Sequence, residues 1–148
     1  MQALNFPAFP FRFKNSENKT YIFDIIRKKF VQLQAEEWVR QHLIWYLIHH
    51  KNYPLSLMNV EKKLQVNGLI KRYDLVVFKK TGDIHILAEC KAPTVKITQD
   101  SFDQTARYNK VLNSNFLIVT NGLDHYYCQQ LLQEEKYRFL KSIPEYIP

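Results

Sequence analysis

The sequence predicts an α/β (α+β) domain: a mixed central sheet of four to five strands flanked by helices. Three observations carry this expectation. Residues 60–90 hold three strand-like runs separated by Asn67-Gly68 and by Lys79-Lys80-Thr81-Gly82-Asp83. Both separators have the composition of tight hairpin turns, so the runs read as an antiparallel meander. Residues 35–50 repeat apolar side chains at helical spacing. Finally, Phe116-Leu117-Ile118-Val119-Thr120 is a short apolar run that follows a helical stretch. That order suits a strand joined to the sheet by a helical crossover.

Taken in order, the chain begins with an extended arm over residues 1–20, with Pro7 and Pro10 among aromatics and a polar turn at Lys14-Asn15-Ser16-Glu17-Asn18-Lys19. Tyr21–Ile26 and Phe30–Leu33 read as two short strands around a basic turn, Arg27-Lys28-Lys29. The helix from about Ala35 to His50 buries Val39, Leu43, Tyr46 and Leu47, with Trp38 and Trp45 beside them. Glu36 and Glu37 fall in its first turn and His49-His50 in its last, where each complements the helix dipole. Adjacent histidines on a helix diverge by about 100°, which makes them a poor metal pair. Lys51-Asn52-Tyr53-Pro54 stops the helix. After the meander, Lys96 to Leu112 reads as loop then helix, with Phe102, Ala106, Val111 and Leu112 inward. Asn121-Gly122 ends the crossover strand, Tyr126-Tyr127 suggests a short edge strand, and Gln129 to Phe139 reads as a helix. No repeat or linker divides residues 1–148, so a single domain is expected.

The 148 residues carry a net charge of +7 with a pI of about 9.4, which permits a polyanionic partner. Nine Tyr and ten Phe are enough both to fill a core and to stack on bases. Cys90 and Cys128 are too few for a disulfide framework, and a reducing cytoplasmic setting is expected. The N-terminus lacks the basic and apolar blocks of a secretory signal. No apolar stretch approaches the ~20 residues of a membrane span, so no membrane partner is expected.

The chemistry gathers at Glu89-Cys90-Lys91, which closes the apolar run Ile84-His85-Ile86-Leu87-Ala88. Side chains alternate along a strand, so Glu89 and Lys91 share one face and Cys90 points to the other. Asp74 lies in the preceding strand, Arg72–Phe78. Two carboxylates suit a hard divalent cation that keeps several waters. A lysine beside them can orient or deprotonate a water and balance charge on a phosphate. The bland alternative is a surface turn with a Glu89–Lys91 salt bridge. Against it, charged groups at the end of a buried strand need partners or a task. In the helix that follows, Gln104 and Tyr108 are four apart and share a face.

Together these pieces resemble the PD-(D/E)xK nuclease superfamily, in the branch of the N-terminal domain of type I restriction enzyme R subunits. The matching blocks are Glu36-Glu37-Trp38-Val39-Arg40-Gln41, Lys71-Arg72-Tyr73-Asp74, Ala88-Glu89-Cys90-Lys91-Ala92-Pro93, Gln104 through Tyr108-Asn109, and Val119-Thr120-Asn121-Gly122. They stand in the family's order and cover roughly residues 20–127. The resemblance implies a restriction-endonuclease-like core and Mg²⁺-dependent cleavage of DNA in restriction or repair, with Mn²⁺ as a substitute. It implies Asp74, Glu89 and the Cys90 carbonyl as metal ligands, and Lys91 as the residue that activates water and steadies the phosphate. Gln104 and Tyr108 match its Gln-x-x-x-Tyr motif. A first-helix acid completes such sites, Glu37 by first choice and Glu36 as alternate. Ala35 stands where a proline usually precedes the acidic pair. No Gly-x-x-x-x-Gly-Lys-Ser/Thr loop of an ATP-driven motor occurs. The chain is therefore expected to act alone, as a homodimer, or with a separate restriction or motor subunit. The competing expectation is a catalytically silent nucleic-acid-binding module of the same fold.

Overall fold

A helix and a hairpin meander set the frame of the computed structural model, which describes residues 1–131 and 136–148, with Tyr108 described in its backbone only. Three short strands come first: β1 (Phe13–Ser16), β2 (Lys19–Asp24) and β3 (Lys29–Gln32) form a small antiparallel sheet. The helix α1 (Ala35–Lys51) follows and ends where Asn52 turns left-handed with φ 62°. The remaining strands are β4 (Met58–Val66), β5 (Leu69–Phe78), β6 (Ile84–Cys90), β7 (Phe116–Thr120), β8 (His125–Leu131) and β9 (Lys136–Leu140). They make one six-stranded sheet in the order β4-β5-β6-β7-β8-β9. All its pairings are antiparallel except β6–β7. The parallel pair is joined by the crossover helix α2 (Gln99–Asn109), whose N-terminus is capped by Thr98 and Ser101 in a reciprocal capping box.

Period-two alternation sorts the sheet's side chains into two layers. Leu75, Val77, Ile86, Ala88, Cys90, Phe116 and Ile118 pack with Val39, Leu43, Ile44 and Leu47 of α1. Val76, Leu87, Leu117 and Val119 face the other way, onto Phe102 and Ala106 of α2. The helices thus cover opposite faces of the sheet.

The arm of residues 1–12 straps α1. Phe11 stacks against Trp38, His42 and Trp45, and the Asn5 amide donates to the Gly122 carbonyl at 2.7 Å. Gly122 has φ 88°, and a Cβ there would lie 2.9 Å from Leu4 and 3.1 Å from Val39. Gly122→Ala is therefore expected to loosen the arm and cost about 1–3 kcal/mol, from overpacking and left-handed strain. A thermal melt beside proteolysis of the arm checks it.

Four expectations are corrected. The sheet has six strands rather than four or five, with a further three-stranded sheet beside it. Residues 13–16 leave the arm to form β1, since Glu17 and Asn18 both take positive φ and close a tight hairpin. The helix expected at 129–139 is not formed: β8 runs through Leu131 and β9 begins at Lys136, and residues 132–135 lie outside the described residues. β8 is an interior strand, and pairing with β7 and β9 overrides the helical leaning of its glutamines. Val111 is half exposed rather than inward, because α2 gives way at Lys110 to a 3-10 turn that rotates it outward.

Candidate functional site

The site lies where β6 runs out. Strand alternation breaks at Asp74 on the neighbouring strand. Tyr73 joins the layer under α2, yet Leu75, two residues on, joins the layer under α1. Glu61, which falls opposite Asp74 between the pairs Val60↔Leu75 and Lys62↔Tyr73, has φ 53°. This irregularity re-aims the Asp74 carboxylate toward the end of β6. Its Oδ2 accepts the Cys90 backbone N–H at 2.7 Å, and Arg40 Nη1 lies 3.7 Å from its Oδ1.

Burial pushes the Asp74 carboxyl up to about 6. The Cys90 amide and the Arg40 charge oppose that rise, while the charges of Glu36 and Glu89 add to it. A shift from 3.8 to about 6 is worth at most about 3 kcal/mol. The folded protein holds this proton more tightly than the unfolded chain, so ionising Asp74 costs stability. The cost is absent below about pH 4, grows between about 4 and 6, and is complete above that. In chelator, the wild type is expected to lose stability across this window while Asp74→Asn stays flatter. Urea melts at successive pH values check it.

Glu89 is buried on the α2 side of the sheet, and the Lys71 ammonium forms a close ion pair with its Oε1. The same ammonium sits 4.9 Å from the Tyr73 ring centroid. The Cys90 side chain turns to the α1 side, where burial, with the Asp74 charge added, pushes its thiol well up and leaves it neutral. Lys91 is the first residue past β6. Its amide donates to the Thr120 carbonyl at 2.8 Å, and its side chain is exposed.

A cleft of about 730 Å³ opens here, lined by Glu36, Lys71, Lys91, Lys96 and Gln104. Asp74 and Glu89 adjoin it through Glu36 and Lys71 respectively. The structure thus brings Lys91 and Gln104 to the cleft wall, sets Glu89 behind Lys71, and holds Asp74 at the Cys90 amide. The side chain of Tyr108, four residues along α2, lies outside the described residues.

The two first-turn acids of α1 separate. Glu36 lines the cleft. Glu37 instead accepts from Arg40 Nε at 3.0 Å and Nη2 at 2.8 Å, from Arg27 Nη2 at 2.8 Å and from Gln41 Nε2 at 3.0 Å. Burial alone would raise its pKa, but the bonds and charges of Arg40 and Arg27 outweigh it and hold the carboxyl below its usual range. Arg27 in turn donates from Nε to Asp24 Oδ2 at 2.6 Å. A continuous chain, Asp24–Arg27–Glu37–Arg40–Asp74, therefore runs from the small sheet to the site. The basic turn expected at 27–29 sends its first member inward.

Sequence reasoning missed Lys71, Arg40 and Arg27. Arg40 was within reach, since it stands three residues from Glu37 on one helix face. Lys71 and Arg27 had no local signal, because their partners are brought by other elements.

A divalent cation fits the donors at hand. Asp74, Glu89 and the Cys90 carbonyl are hard oxygen ligands, and a cation keeping several waters needs few of them. The mutual repulsion of Glu36, Asp74 and Glu89 is what a positive ion relieves. Among the described residues no group of three or more His, Cys, Asp and Glu side chains is arranged to hold a metal by itself. Mg²⁺ is expected to raise the thermal midpoint of the wild type and not that of Asp74→Asn, read by differential scanning fluorimetry.

A family model described as type I restriction enzyme R protein N terminus (HSDR_N) matches residues 35–144. The matched span opens on the first residue of α1 and contains every candidate residue expected from the sequence, but not Asp24 or Arg27. A comparison with curated proteins gave no match. The mixed sheet with a helix on each face agrees with a restriction-endonuclease-like α/β fold. No helix among the described residues is long and apolar enough to cross a membrane.

Proposed function

This chain belongs to the type I restriction enzyme R protein N-terminal family, and from that premise we propose that it is a metal-dependent nuclease hydrolysing phosphodiester bonds in DNA. The observation that carries the proposal is a cleft walled by Lys71, Lys91 and Lys96 at the end of β6, where Glu89 pairs with Lys71 and Asp74 accepts the Cys90 amide.

Phosphodiester hydrolysis needs an activated water, in-line geometry and neutralisation of the charge that develops on the phosphate. Asp74, Glu89 and the Cys90 carbonyl would hold Mg²⁺ or Mn²⁺, which supplies Lewis-acid polarisation and a more acidic water. Lys91 projects from the strand end into the cleft, where its ammonium meets a phosphate oxygen and orients the water. Lys71 and Lys96 add positive charge on the cleft wall. Gln104 presents an amide across the cleft to steady Lys91 or the nucleic acid. Arg40 fixes the Asp74 carboxylate from the α1 side. Glu36, rather than Glu37, is the first-helix acid we assign to the reaction, because it lines the cleft. DNA is the assigned partner, with a restriction or motor subunit or a second copy completing the assembly.

A second reading is supported by the Lys71–Glu89 ion pair, which engages one of the two assigned metal carboxylates. On that reading the chain is a silent nucleic-acid-binding module. Cleavage of supercoiled plasmid and of labelled single-stranded DNA with Mg²⁺ or Mn²⁺ separates the two. Cutting abolished by chelator is expected. DNA binding without cutting under either metal would select the silent module.

A further inference from the structure

The outer face of the far half of the β4–β5 hairpin is not used by the chemistry above, and its surface is unusual. β5 pairs with β6 only from Leu75 to Phe78, whereas it pairs with β4 out to the tip at Leu69. From Leu69 to Asp74 the hairpin is therefore a two-stranded ribbon, about 20 Å long at a rise of about 3.3 Å per residue. Asn67 and Gly68 close it with φ 50° and 78°, the backbone of a type I′ turn that leaves the strands twisted but straight. Its inner face is held down: Val66 and Tyr73 are fully buried, and Leu64 packs on the layer under α2.

The outer face is bare. The pairs Lys63↔Arg72 and Gln65↔Ile70 put these four side chains on one side, and all four are exposed. Ile70 is 74% exposed and Leu69, at the tip, 63%. Among the described residues Lys62, Lys63 and Arg72 enter no ion pair. The two acids at the ribbon's base are turned away: Glu61 to Arg40 at 3.4 Å and Arg27 at 3.7 Å, and Asp74 to the Cys90 amide at 2.7 Å. A basic ribbon with an apolar tip so stands beside the cleft, and Lys71, one residue from Ile70, lines that cleft.

We propose that this ribbon enters the major groove of B-form DNA, with Lys63 and Arg72 on the phosphates, and with Ile70 of the outer face and Leu69 at the tip against base edges. The proposal rests on DNA being the partner and extends it to duplex DNA. Two strands about 4.8 Å apart, with their side chains, fit a major groove about 12 Å wide but not a minor groove of about 6 Å. The deep, narrow major groove of A-form RNA excludes the ribbon, which favours DNA over duplex RNA. The apolar feature of the major-groove edge is the thymine methyl, the contact that exposed leucine and isoleucine suit.

The test measures binding without turnover: anisotropy of a short fluorescent duplex in chelator over a range of salt. Lys63→Ala/Arg72→Ala is expected to weaken binding at least tenfold and to reduce the slope of log affinity on log salt by about 2. Leu69→Ser/Ile70→Ser is expected to weaken binding about threefold to tenfold. Replacing every thymine by uracil removes the methyls and should weaken the wild type by a similar factor while leaving the tip variant unaffected. Leu69→Thr/Ile70→Thr, which keeps β-propensity, repeats the tip test if the serine variant melts early. A wild type that binds no duplex, equal affinity for thymine and uracil duplexes, or an unchanged salt slope in the cation variant would each overturn the proposal. Sedimentation in which the wild type self-associates through the tip would make it a contact between copies instead. Binding as expected without any DNA cleavage would support the ribbon and count against the nuclease.

Discussion

Lys91→Ala is expected to lower plasmid cleavage by about 10²–10³-fold, the usual loss when one charge-stabilising group is removed from a reacting centre. The melting temperature should hardly move, because the Lys91 side chain is exposed and its structural bond is the backbone N–H to Thr120. Its removal leaves intact the acids proposed to hold the cation, so the variant should keep its response to Mg²⁺. Loss of cleavage with fold and Mg²⁺ response retained separates Lys91 from the acids. A fully active Lys91→Ala protein would refute the assignment and move attention to Lys71 and Lys96, the other cations of the cleft.

Replacing Glu37 has the largest expected effect on stability. It is the sole acid shared by Arg27 and Arg40 at 2.8 Å among the described residues, and its side chain is only 8% exposed. Glu37→Ala takes the shared acid from two largely buried guanidinium groups, leaving Arg27 on Asp24 and Arg40 on the longer contacts to Glu61 at 3.4 Å and Asp74 at 3.7 Å. Loss of one partner from a buried pair costs about 3–5 kcal/mol. For a domain of this size that lowers the melting temperature by about 10 °C. Glu36→Ala should do the opposite: retain the melting temperature and lose cleavage. Two adjacent acids with exchanged phenotypes, read by thermal melts beside the plasmid assay, would establish which one serves the reaction. Equal destabilisation by both would show that the division is wrong.

The meander was legible because its two turns carry their own chemistry. Asn67-Gly68 and Gly82 supply positive φ where a tight hairpin requires it. The crossover strand was legible because Phe116–Thr120 is buried along its whole length, so its pattern is a continuous apolar run. β8 was legible only at Tyr126-Tyr127, and there as an edge strand, and β9 was not, because Gln129, Gln130 and Arg138 owe their conformation to ladder partners rather than to intrinsic preference. At the site, Asp74 and Glu89-Cys90-Lys91 stood out as charges ending buried strands. The break in alternation at Asp74 was invisible, since it depends on the backbone of Glu61 across the ladder. The division between Glu36 and Glu37 was equally hidden. A helix start of two acids reads the same whichever one meets an arginine from another sheet.

That arginine also bears on where a working fragment of this protein can be cut. The family match opens at residue 35, and a trimmed chain starting there would keep α1, both helix layers and the whole six-stranded sheet. It would lack Arg27, and Glu37 would then keep Arg40 as its one cation, with Gln41 beside it. Arg40 would be drawn toward Glu37 and away from the Asp74 carboxylate that it now holds from 3.7 Å. The minimal unit for expression, fusion or transplantation into another protein therefore begins upstream of the matched region, at the three short strands. Their share in the candidate site is a single guanidinium group.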